Sequence, residues 1–102
     1  MKVVQIMPRG KVRLFGAIVK KEADIRKNDR GTFYRAGRKK QNEARWNHKR
    51  YKGSVKLKHG VDETVTAQVR SPDQEWQMLS AFLGWVNRHF GDRVAAVNIR
   101  YS

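Results

Sequence analysis

Residues 54–91 read SVKLKHGVDETVTAQVRSPDQEWQMLSAFLGWVNRHFG, and this stretch decides the fold. Its first half has a period of two. Val55, Leu57 and His59 alternate with Ser54, Lys56 and Lys58; after Gly60, Val65, Ala67 and Val69 alternate with Thr64, Thr66, Gln68 and Arg70. One face is apolar and the other polar or cationic, which predicts an antiparallel hairpin with a single side on a core. The second half switches to helical spacing. Ser71-Pro72-Asp73-Gln74 supplies an N-cap serine, a proline at the first helical position and a capping-box glutamine. Trp76, Leu79, Leu83, Val86 and Phe90 then form one stripe, Met78, Phe82 and Trp85 a second beside it, and Gly91 stands where a helix would end. So broad an apolar face must be covered by a sheet, a loop or a second subunit.

Outward from this stretch the pattern returns to alternation. Val97, Ile99 and Tyr101 oppose Ala96, Asn98 and Arg100, which predicts a C-terminal strand. The long connection through the helix allows it to run parallel to the 63–70 strand as a crossover unit. Toward the start, Val3 to Met7 is apolar and partly β-branched, and Pro8-Arg9-Gly10 is a turn signal. Val12, Leu14 and Ile18 then oppose Lys11, Arg13, Phe15, Ala17 and Val19, the pattern of a second strand and hence of a first hairpin. The predicted class is α+β: a mostly antiparallel sheet of two hairpins plus a C-terminal strand, packed on one long C-terminal amphipathic helix.

Residues 20–52 stand apart as a basic insert, with 13 Lys/Arg against 4 Asp/Glu, a net +9 of the chain's +14. Phe33, Tyr34, Trp46 and Tyr51 are interleaved with the cations. Gly31 to Arg35 has strand chemistry, Ala36-Gly37-Arg38 reads as a turn, and Gln41 to Tyr51 is ambiguous. The expectation is a long, mobile cationic hairpin or a pair of short elements, partly disordered without a ligand.

With 102 residues there is room for one domain, 1–102, and one core. No cysteine is present, which excludes disulfides, zinc ribbons and thiol catalysis. The first residues lack the apolar stretch of a signal peptide, and the longest apolar run, Leu14 to Val19, is far too short to span a bilayer. A cytoplasmic protein with no membrane partner is expected.

Dense cationic charge with flat aromatics between is the composition that neutralises phosphates and stacks on bases. The expected function is therefore non-enzymatic nucleic-acid binding, to RNA or single-stranded DNA rather than duplex. Its contacts would come from Lys20, Lys21, Arg26, Lys27, Arg30, Arg35, Arg38, Lys39, Lys40, Arg45, Trp46, His48, Lys49, Arg50, Tyr51, Lys52, Lys56 and Lys58. Strand alternation adds a spatial statement: the sheet face away from the helix would carry Lys11, Arg13, Lys56, Lys58, Arg70 and Arg100 around Thr64, Thr66, Gln68 and Asn98, with Phe15 exposed among them.

Two other readings compete. A protein-interaction module from a phage or mobile element would dock on an acidic protein or ribonucleoprotein, with Met78, Phe82 and Trp85 as a partner or homodimer face. A small metal-free ribonuclease would use two of His48, His59 and His89 as base and acid. No motif calls for a cofactor, and the acidic residues form no constellation at metal-ligand spacing.

Overall fold

The computed structural model describes residues 1–38 and 40–101. The elements run β1 (Lys2–Pro8), α1 (Leu14–Lys27), β2 (Phe33–Arg35), β3 (Glu43–His48), β4 (Ser54–His59), β5 (Val65–Arg70), α2 (Glu75–Phe90) and β6 (Val94–Tyr101). Short 3₁₀ turns over Val61–Glu63 and Gly91–Arg93 link β4 to β5 and α2 to β6. All six strands form one sheet in the order β2-β3-β4-β5-β1-β6, and every neighbouring pair is antiparallel. The class is α+β, as the patterning predicts.

The β4–β5 hairpin and α2 form where the sequence places them. Val55 pairs with Val69 and Leu57 with Ala67, and all four side chains are fully buried. Gly53, just before β4, has φ +133, and a Cβ there would lie 2.0 Å from the Arg70 carbonyl oxygen, so only glycine fits. Ser71 Oγ accepts from the Gln74 amide at 3.0 Å, but Gln74 is itself non-helical, and the regular helix begins at Glu75. The buried face of α2 centres on Met78, Leu79, Phe82, Trp85, Val86 and Phe90, which leaves Trp76 outside.

Three expectations are corrected. The first hairpin does not exist, because 14–27 is helical and β1 pairs instead with β5 and β6. Leu14, Phe15, Ile18, Val19 and Glu22 are the buried residues of α1, a helical stripe that a nine-residue window reads as alternation. The sheet thus has two helices against it. Second, the 20–52 insert is no insert: it supplies the second half of α1 and the strands β2 and β3, with Phe33 and Trp46 in the core. Third, β6 runs in the same direction as β5, as a crossover requires, but β1 lies between them and pairs with both.

A single apolar core lies between the helices and one side of the sheet. Val4, Ile6, Ala44, Trp46, Val55, Leu57, Val65, Ala67 and Val69 come from the strands, and α1 and α2 complete it. Trp46, at its centre, lies edge-on to Trp85 with ring centroids 4.9 Å apart. Two polar groups are sealed in with it: the Glu22 carboxylate, whose Oε2 is 3.3 Å from Arg26 Nε, and the Trp46 indole N–H, which has no hydrogen-bond partner among the described residues.

Candidate functional site

Because both helices pack on one side, the other side of the sheet is open. Antiparallel partners share a face, so the register assigns its side chains directly. Arg45 pairs with Lys56, Lys56 with Gln68, Gln68 with Val3, and Val3 with Arg100: one continuous row across β3, β4, β5, β1 and β6. A second row runs Glu43, Lys58, Thr66, Gln5, Asn98. Ser54 faces Arg70 beyond the first row, and Tyr34 faces Asn47 at the β2 edge. None of these side chains is buried.

The face is cationic with one internal counter-charge. Among the described residues, Arg45, Lys56, Lys58, Arg70 and Arg100 stand against Glu43 alone. Glu43 bridges Lys56 at 3.2 Å and Lys40 at 3.8 Å, and its hydrogen bond from Lys56 holds the carboxyl below the usual carboxylate range. It fixes the lysine heads without cancelling the cluster. Beside it Arg38, Lys40, Glu43, Arg45 and Lys56 line a shallow depression of about 360 Å³. Amides and hydroxyls from Gln5, Thr66, Gln68 and Asn98 fill the rest of the surface with donors and acceptors.

The predicted contact residues divide into four groups. Arg45, Lys56 and Lys58 lie on the open face, with Arg38 and Lys40 at its rim. Lys49, Arg50, Tyr51 and Lys52 form the β3–β4 turn. Lys20, Lys21, Arg26 and Lys27 ride on α1 behind the sheet, Arg30 follows that helix, and Arg35 shares the covered side with its partner Trp46. Lys39 lies outside the described residues.

Trp46 and His48 are not surface groups. Trp46 is fully buried, and His48 is nearly so, accepting at Nδ1 from the amides of Arg50 at 3.0 Å and Tyr51 at 3.3 Å. Its ring stacks on Tyr51 at 4.6 Å, and burial, then the Arg50 charge, push its pKa below the ordinary 6.5. Phe15, expected on the open face, is instead buried under α1 and stacked on His59 at 5.5 Å. Lys11 and Arg13 lead into α1 and Thr64 ends a 3₁₀ turn, so none of the three joins the rows. Arg100 joins the first row and Arg70 lies beyond it on the same face, and the period-two alternation of their strands is the signal that finds them.

The histidines do not converge. His48 and His59 lie at opposite ends of the β3–β4 pair, roughly 20 Å apart at ~3.3 Å per residue. His59 is bound to Glu63 at 3.2 Å, and His89 packs edge-on to Trp85. Among the described residues no three His, Asp or Glu side chains cluster as a metal ion would require. No described helix is long and apolar enough to cross a membrane.

The comparisons with known proteins find no match: no family model fits the chain, and no curated protein or solved structure is similar to it.

Proposed function

We propose that this chain binds nucleic acid on the open face of its sheet, holding RNA or single-stranded DNA mainly through backbone phosphates. The observation that supports this most is the five-strand row Arg45–Lys56–Gln68–Val3–Arg100, a cationic strip interspersed with hydrogen-bonding groups and free of covering helices. Phosphate oxygens and exposed sugar and base edges are the ligand that so mixed a surface suits. With Trp46 in the core, stacking falls to Tyr34 at the sheet edge, so charge contributes more than aromatic contact. Six strands at ~4.8 Å spacing make a surface roughly 25 Å broad, too wide to enter a major groove ~12 Å across, which favours single strands over duplex.

The test is binding of labelled single-stranded RNA, single-stranded DNA and duplex DNA across a salt series. Five phosphate contacts on a single strand give a slope of log K against log salt of about −3.5. Arg45→Gln with Lys56→Gln is expected to lower affinity alike for all sequences and to reduce that slope by about 1.4. An unchanged slope in the double variant, or weak binding to all three ligands near physiological salt, overturns the reading and leaves an acidic protein as the partner.

A further inference from the structure

We propose that β6 pairs with β6 of a second copy of this chain, antiparallel about a two-fold axis at Asn98, so that two six-stranded sheets become one. This inference concerns the protein alone and does not rest on the nucleic-acid reading.

β6 is the last strand of the sheet, hydrogen-bonded to β1 on one side and open on the other. Exposed edges are normally blunted by charge, proline, a bulge or brevity. β6 has only one such device, a register shift against β1 at Ala95 near its start; from Ala96 to Tyr101 the pairing is regular, and the eight residues Val-Ala-Ala-Val-Asn-Ile-Arg-Tyr carry a single charge. On its helix side the apolar surface is uncovered. Val97 is 42% exposed and Tyr101 59%, and Trp76, 58% exposed, stacks on Tyr101 at 6.4 Å. Leu83, Val86, Val94, Val97 and Ile99 line an open groove of about 440 Å³ between α2 and β6.

Charge and register select a copy of the same chain as the occupant. An acidic protein would be drawn to the cationic rows, whereas β6 carries only Arg100, so two chains of net +14 can meet here with least repulsion. The two core faces remain on one side only in registers where facing residue numbers sum to an even value. Within the regular stretch that starts at Ala96, with Asn98 facing Asn98 of the second copy, Val97 faces Ile99 of the second copy and Ala96 faces its Arg100. Apolar side chains meet, small residues oppose large ones, and no like charges are apposed. Shifting the axis to Val97 would draw the Arg93 turn into the ladder, and shifting it to Ile99 would shorten the ladder.

The area is sufficient. Eight residues at ~3.3 Å make an edge about 26 Å long, and the molecule is 24 Å thick in its shortest direction. Some 600 Å² per copy, roughly 1,200 Å² in all, reaches the lower bound of specific interfaces.

Sedimentation of the full chain from low micromolar to near millimolar concentration tests this. The expected result is a monomer–dimer equilibrium that strengthens as salt screens the repulsion. Val97→Lys should weaken it roughly tenfold or more, since each lysine would be desolvated at the junction. Because the chain has no cysteine, Asn98→Cys reports the register without relying on that variant. Mild oxidation should give a disulfide-linked dimer, and Ser80→Cys on the exposed side of α2 should not. A wild type that stays monomeric throughout, a dimer indifferent to Val97→Lys, or cross-linking no greater at 98 than at 80 each overturns the proposal. Stable capture of a different protein on this edge in place of self-association does so as well.

Discussion

The two ends of the sheet are built on opposite plans. At the β2–β3 end the edge strand is three residues long, cations crowd the surface, and the large aromatics Phe33 and Trp46 are drawn inward to pack on Phe82 and Trp85. At the β1–β6 end the edge strand is eight residues long and nearly uncharged, and Trp76 and Tyr101 are left outside. The first end spends its apolar side chains on its own core and presents charge to water. The second retains charge-poor apolar surface that its own core does not cover. A chain of net +14 therefore divides its surface into a cationic sector and a charge-poor apolar one.

The comparison breaks most visibly at the tryptophans. Trp46→Ala, at full burial, should cost about 3–5 kcal/mol and lower the urea midpoint accordingly, whereas Trp76→Ala should change stability by no more than about 0.5 kcal/mol. Equal effects would mean that Trp76 is packed into the core as tightly as Trp46. Next in size is Gly53→Ala in the β3–β4 turn, where the new Cβ would collide with the Arg70 carbonyl, for an expected loss of about 3 kcal/mol. Melting with wild-type cooperativity and midpoint would show that this turn can relax.

A smaller effect sharpens the contrast by pH. Burial keeps the folded His48 neutral, accepting two amide hydrogen bonds, while the unfolded chain takes up a proton near pH 6.5. A depressed histidine pKa stabilises the fold fully above that value, and the contribution is lost as pH falls below it until the folded imidazole itself titrates. His89, lowered by burial against Trp85 and by Lys21, adds in the same direction. The urea midpoint should drop between about pH 7.5 and pH 5, and part of that drop should vanish in His48→Gln. Smallest of all is the expectation for α1: Lys20→Gln with Lys21→Gln, behind the sheet, should leave the salt slope of nucleic-acid binding nearly unchanged, unlike the Arg45 and Lys56 pair.

How much of this is legible in the sequence follows from how each element is signalled. The β4–β5 hairpin and α2 carry long single-period patterns, with a Ser-Pro-Asp turn ahead of the helix, an acidic residue in its first turn and a glycine at its end. α1 carries none of the usual start signals: Arg13 precedes it with no side-chain cap, no acidic residue stands in its first turn, and Gly16 interrupts it. Its helical stripe emerges only when 14–19 is read together with Glu22 and Ile25. Charge density has a similar blind spot, since it marks 20–52 as one unit although the chain turns from helix to sheet within it. Alternation locates the open face, including Arg70 and Arg100, better than charge counting does, because register assigns a side and composition does not.

The placement of the three tryptophans has an optical consequence. Trp46 and Trp85, edge-on at 4.9 Å in the apolar core, form a chromophore pair that should emit to the blue, resist iodide and generate a near-ultraviolet dichroism band only while the core is packed. Trp76, on Tyr101 at the rim, should emit to the red and be open to quenchers. The molecule thus carries one native dye for its interior and another for its charge-poor edge, separable by wavelength without any label.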